Sequence, residues 1–207
     1  RYDYALLWAA LLGAVLKFAL NEGLARWQLT TGTSLLDGWR QRLPAVVSWY
    51  FMAYLLVWTV VVAAALMAAC GLAAHALFQS VGVTEAAIGH SLLAALFVWT
   101  GRYRWLESIM KLFIGLMFAV VLVCAWQIFP GWSAVFGGLL VPGIPAGSTW
   151  FLLGVVGGVG GSVTLLSYGY WIRERGWTQM DSLPQVRLDL FVAYGMTAIF
   201  AIAVMLI

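Results

Sequence analysis

The chain has 207 residues, 64% of them hydrophobic and only 9% charged, with a mean hydropathy of +0.95 and a formal charge of +3. This excludes an ordinary soluble domain, and uncharged apolar runs of about 20 residues or more point to membrane helices instead of alternating barrel strands of about ten. No basic stretch interleaved with aromatics suggests nucleic acid, and Cys70 and Cys124, both inside apolar runs, read as packing residues without a disulfide framework or thiolate metal site.

The expected fold is all-α, a polytopic bundle forming one transmembrane domain with spans near residues 4–26, 45–78, 86–100, 108–129, 148–172 and 188–207. The chain opens with Arg1 and stops at Ile207 inside an apolar run, which reads as a fragment without a visible signal peptide.

The first span is interrupted by Lys17, Asn21, Glu22 and Arg26, where Lys17 with Asn21 and Glu22 with Arg26 are each one helical turn apart. Lys17 falls past the middle of the hydrocarbon, so it must face protein or water or snorkel. A structural polar contact and a place in the permeation path both remain open for it. Glu22 with Arg26 reads as an interfacial pair. Gly32 signals the end of this helix, and TSLLDGWRQRLP follows as a short amphipathic piece.

Ala45 to Phe78 carries no formal charge and, as one helix, would reach roughly 50 Å. A tilted or protruding single crossing is expected, because no Pro, Asn or Gly pair turns the run mid-way. His75 and His90 flank the next loop and read as interfacial residues, since lone histidines rarely make a metal site. The basic turn GRYRWLE precedes the fourth span. Next comes an uncharged connector with Pro130, Pro142 and Pro145, and it leads into GVVGGVGGSVTLLSYGYWIRERGW.

That last stretch organises the chain. Five glycines between 154 and 161 are followed by the hydroxyls of Ser162, Thr164 and Ser167. Such composition lowers helix stability and permits close backbone approach, so it reads either as a helix crossing of GxxxG type or as a broken helix presenting freed backbone groups to a ligand. The hydroxyls themselves either bond their own helix at i−4 or face that ligand.

Arginine placement sets the orientation. Arg40, Arg42, Arg102, Arg104, Arg173, Arg175 and Arg187 follow the first, third and fifth spans, whereas the connectors after the second and fourth hold no Lys or Arg. By the positive-inside rule residues 28–44, 101–107 and 173–187 are cytoplasmic, in a cell inner or plasma membrane.

The order of these features resembles the Nramp family of divalent metal transporters. ALNEGLARWQLTTGTSLLDGWRQRLP is similar to that family's second helix and following loop at Arg26, Thr31, Gly32, Leu35, Arg40, Arg42 and Pro44. GRYRWLES is similar to its turn between helices four and five, with Leu106 and Glu107 in register, and WSAVFGGLLVPGIPAG to the loop before its sixth helix. The resemblance implies a LeuT-type inverted-repeat transporter fold, the six spans here matching the family's second to seventh helices. The unwound first helix with its Asp-Pro-Gly-Asn signature is not among them. The family's Ala-x-x-Met-Pro-His pattern falls on Ser162, Val163, Thr164, Leu165, Leu166 and Ser167, so leucine stands at the thioether position and serine at the histidine. The acidic residues on the family's third helix fall near Ala63 and Leu66.

What the resemblance implies is a secondary transporter of a divalent cation, Mg²⁺ or Mn²⁺-like, working by alternating access. Its metal-side candidates are Ser162, Thr164, Leu165 and Ser167, with Lys17, Asn21 and Glu22 as further intramembrane polar groups. Hydroxyl, carbonyl and water ligands suit hard cations, and a lost thioether weakens selection for softer ones. The implied partners are the lipid bilayer and the transported ion, with no cofactor. An organic-solute transporter on the same fold and a non-transporting structural subunit are the alternatives. An enzyme is not expected, because the apolar runs hold no cluster of His, Asp or Glu to act as acid, base or metal ligand.

Overall fold

The computed structural model describes residues 4–100, 103–158 and 162–207; within these, the side chains of residues 103, 104, 106, 162 and 164 lie outside the described set. Nine α-helices, one 3₁₀ turn and no strand occur among the described residues. The helices are α1 (Leu7–Thr31), α2 (Leu35–Arg42), α3 (Ala45–Leu77), α4 (Val83–Trp99), α5 (Tyr103–Gln127), α6 (Trp132–Leu140), α7 (Thr149–Gly158), α8 (Ser162–Glu174) and α9 (Leu183–Leu206). The described helices long and apolar enough to cross a membrane are α1, α3, the stretch Glu107–Gln127 of α5, and Met180–Leu206; α4 and α7 are apolar but shorter.

Two compact units divide the chain, residues 42–116 forming one and residues 1–41 with 117–207 the other. In the first, α3 is one unbroken helix of 33 residues, long enough for the tilted single crossing. It packs against α4 where Gly71 meets the start of the next helix: an added Cβ would collide with the Val83 carbonyl and lie 3.0 Å from the Ala87 Cβ. The loop between them is closed by the His75 ring, whose Nδ1 lies 2.7 Å from the Val81 carbonyl oxygen. His90, in contrast, sits two turns inside α4 and is exposed.

The second unit is built around α1, α8 and α9. α1 stops at Gly32, whose φ of 68° is left-handed and whose N–H donates to the Gln28 carbonyl at 2.8 Å, the usual helix terminus that glycine permits. Ser34 then starts α2: its hydroxyl accepts from the Asp37 N–H at 3.2 Å and donates to the Asp37 carboxylate at 2.6 Å. α2 folds back onto α1 at Gly38, where a Cβ would strike the Trp27 ring. The antiparallel pairing of α1 with α9 is read from contacts of rising and falling number, Asn21 with Tyr194, Glu22 with Arg187 and Thr30 with Met180. Ala14, Ala25, Leu29, Tyr168, Ile172, Leu183, Val186, Leu190, Tyr194 and Ala198 form the shared core.

The connector before α7 is not extended throughout. Its segment Trp132–Leu140 is helical, and Gly138 comes against the Tyr4 carbonyl so closely that a Cβ could not fit. The Trp8 indole N–H donates to the Gly143 carbonyl at 3.1 Å, tying this connector to the start of α1. Short apolar helices of this kind are hard to see in sequence, because the flanking Gly and Pro read as loop signals.

Candidate functional site

Three helices supply the polar groups of the second unit's interior. α8 runs parallel to α1 and close to it, because Gly169 has no side chain: the Gln28 amide donates to the Gly169 carbonyl at 2.7 Å, and a Cβ on Gly169 would lie 2.5 Å from Gln28 Oε1. Leu165 and Leu166 line a narrow crevice with Leu24, Ala25 and Gln28 across the same contact.

Asn21 is 3% exposed, and its amide nitrogen donates to the Tyr194 hydroxyl on α9 at 2.5 Å. Its Oδ1 has no partner among the described residues. An unsatisfied buried carbonyl in an apolar span is costly and marks a polar position in the interior. The pairing with Lys17 that helical spacing allows is not formed; Lys17 is half-buried and makes no hydrogen bond or ion pair among the described residues.

The next residue toward the basic end, Glu22, behaves as the spacing with Arg26 suggests, and more. Its carboxylate is 9% exposed and accepts from Arg26 on its own helix and from Arg187 Nε on α9 at 2.8 Å. The neighbouring Tyr168 hydroxyl donates to the Asp189 carboxylate at 2.9 Å, joining α8 to α9. At the membrane surface, Arg173 at the end of α8 donates to Asp37 on α2 at 3.2 Å. The Ser34 hydroxyl, then the Arg173 guanidinium, hold the Asp37 carboxyl below the ordinary aspartate range.

These ties put the end of α1, α2, the end of α8 and the start of α9 on one side. The start of α1 and the connector through Gly143 lie on the other.

A comparison with known protein families decides what kind of protein carries this arrangement. Residues 1–207 match the family described as Nramp, natural resistance-associated macrophage protein-like. The chain belongs to the Nramp family. Among curated proteins none matches it significantly. As an Nramp protein it is an integral membrane protein of LeuT-type fold, and the family's activity is metal-ion transport, not enzymatic catalysis.

Within this Nramp chain, the residues singled out by sequence sit as follows. Ser162 and Thr164 are in α8, with side chains outside the described set. Ser167 donates to the Val163 carbonyl at 3.1 Å, the i−4 bond available to any helical serine, and its oxygen keeps acceptor capacity. A departure from regular helix is expected over Gly157 to Ser167, yet 157–158 and 162–167 are α-helical, and residues 159–161 lie outside the described residues. The GxxxG crossing has no counterpart at its described positions, for a Cβ at Gly154, Gly157 or Gly158 would meet nothing within 4 Å. No group of three His, Cys, Asp or Glu that could hold a metal occurs among the described residues.

Tyr194, Gln28 and the Tyr168–Asp189 pair were not marked by sequence, and Arg187 was marked only as a topology signal. Only Asp189, a carboxylate inside an apolar run, carried a usable signal.

Proposed function

We propose that this Nramp protein moves a divalent cation by alternating access, with the ion as substrate and no resident cofactor. On the α8 side the cation is held by oxygen donors at Ser162, Thr164 and Ser167, and Leu165 takes the place of a thioether. The observation that carries this reading is the residue set of α8's first turns: in a member of a metal-transport family, they hold hydroxyls and aliphatics and no sulfur or imidazole. Oxygen and water ligation favours a hard cation such as Mg²⁺ and discriminates weakly against Mn²⁺.

The deciding experiment is cation flux and competition in proteoliposomes with the full-length protein, wild type against Leu165→Met. Wild type is expected to move Mg²⁺ and Mn²⁺ comparably, and the thioether to shift preference several-fold toward Mn²⁺ or Cd²⁺. If neither protein moves any divalent cation, the proposal falls and the organic-solute transporter or the structural subunit takes its place.

A further inference from the structure

We propose that the groove between the basic end of α1 and the start of α9 binds an anionic phospholipid. Arg26 and Arg187 hold its phosphate, and one acyl chain lies along Phe18, Ala19 and Gly23. All of these residues line one open groove.

Charge points to the ligand. Two guanidiniums converge on the single carboxylate of the groove, so two positive charges less one negative leave a net +1. Glu22 is 9% exposed while the arginine side chains are 53% and 52% exposed, so the buried carboxylate anchors both side chains and their heads face outward. Each guanidinium has five N–H donors in a rigid fork, and Glu22 engages only some of them. The remaining donors match a phosphodiester, which takes such forks bidentately.

Depth points to a lipid. Arg26 lies 19 residues beyond Leu7, about 28 Å along α1, at the edge of a hydrocarbon layer about 30 Å thick. Gly23 and Ala19 lie one and two turns nearer the bilayer centre, below the phosphate, where an acyl chain would run. A Cβ at Gly23 would meet nothing within 4 Å, so the floor of the groove is open. The arginine-rich end faces the cytoplasmic leaflet by the positive-inside rule, and that leaflet is the anionic one. A zwitterionic headgroup would bring a choline against the net positive charge.

The test uses the full-length protein in detergent, with lipid retention read by native mass spectrometry and stability by thermal unfolding. Dioleoyl phosphatidylglycerol, dioleoyl phosphatidylcholine and inorganic phosphate are added separately. Phosphatidylglycerol is expected to be retained over phosphatidylcholine and to raise Tm, with inorganic phosphate doing neither. Arg26→Gln should weaken retention about fivefold, corresponding to ~1 kcal/mol per basic residue near an anionic lipid. Gly23→Leu should weaken it with every charge in place, and this variant decides the matter if Arg26→Gln does not fold. Arg40→Gln makes the same change in net charge away from the groove and should retain the lipid as wild type does. Equal retention of the two lipids would overturn the proposal, as would wild-type retention by Gly23→Leu. So would a loss in Arg40→Gln equal to that in Arg26→Gln, or a full Tm shift from inorganic phosphate alone. Since no arm reads transport, failure here is distinct from failure of the cation assignment.

Discussion

Replacing Gly71 and Gly89 by alanine, one at a time, compares two helical glycines of the same unit that differ in surroundings. A Cβ at Gly89 would meet nothing within 4 Å, whereas at Gly71 it would run into the Val83 carbonyl, with Ala87 Cβ at 3.0 Å and Val83 Cγ1 at 3.2 Å. Both substitutions gain helix propensity, up to about 1 kcal/mol. At Gly89 that gain stands alone. At Gly71 the obstacle is backbone, which cannot rotate away, so α3 and α4 must separate at an overpacking cost of about 2–3 kcal/mol. The expected outcome is Gly71→Ala destabilised by about 1–2 kcal/mol and Gly89→Ala unchanged or stabilised by up to about 1 kcal/mol. Unfolding free energies measured by steric trapping in bicelles would read the difference. Equal stability of the two variants would refute the argument that the α3–α4 contact requires glycine at 71.

The Asp37–Arg173 tie should make α2 docking sensitive to pH. Because the folded carboxyl sits below its ordinary range, its contribution is fully present above the unfolded pKa and is lost as pH falls through the depressed folded value. The protection of α2 amides, exchange measured by mass spectrometry in nanodiscs and referred to the intrinsic rate at each pH, should therefore fall on acidification in wild type. Asp37→Asn should show low protection at every pH, and a protection profile identical to wild type in that variant would count against the tie. Orientation is open to single-cysteine labelling: Ser34 and Ser182 are expected to react from the cytoplasmic side and Ile144, 62% exposed, from the other. Ser148, on the same connector, is fully buried and should resist reagent from either side. Labelling of Ile144 and Ser34 from the same face would remove the arginine-based topology.

Sequence by itself determined what depends on local composition and chain direction. Apolar length places α1, α3 and α9, because a long run with few or no charges has no other solvent than the bilayer. Gly32 ends α1 and Ser34 begins α2 through bonds within a few residues, which short spacing makes legible. Glu22 with Arg26 is an i,i+4 pair and was readable for the same reason. The motifs along the chain also carried the family.

Only tertiary structure decided which distant groups meet. Asn21 bonds Tyr194 across 173 residues instead of the nearby Lys17, and Arg187 becomes the second cation on Glu22 across 165. Side-chain spacing limits what can touch along one helix, but the packing of α1 against α9 chooses the partner. The glycines make the same point. The run at Gly154, Gly157 and Gly158 drew attention by its density, yet its described positions face open space. Scattered single glycines at 38, 71, 82, 138 and 169 are the described ones where a Cβ would come within 3 Å of another atom. Density in sequence measures backbone permissiveness, whereas close approach depends on what the fold brings opposite, and no local pattern encodes that.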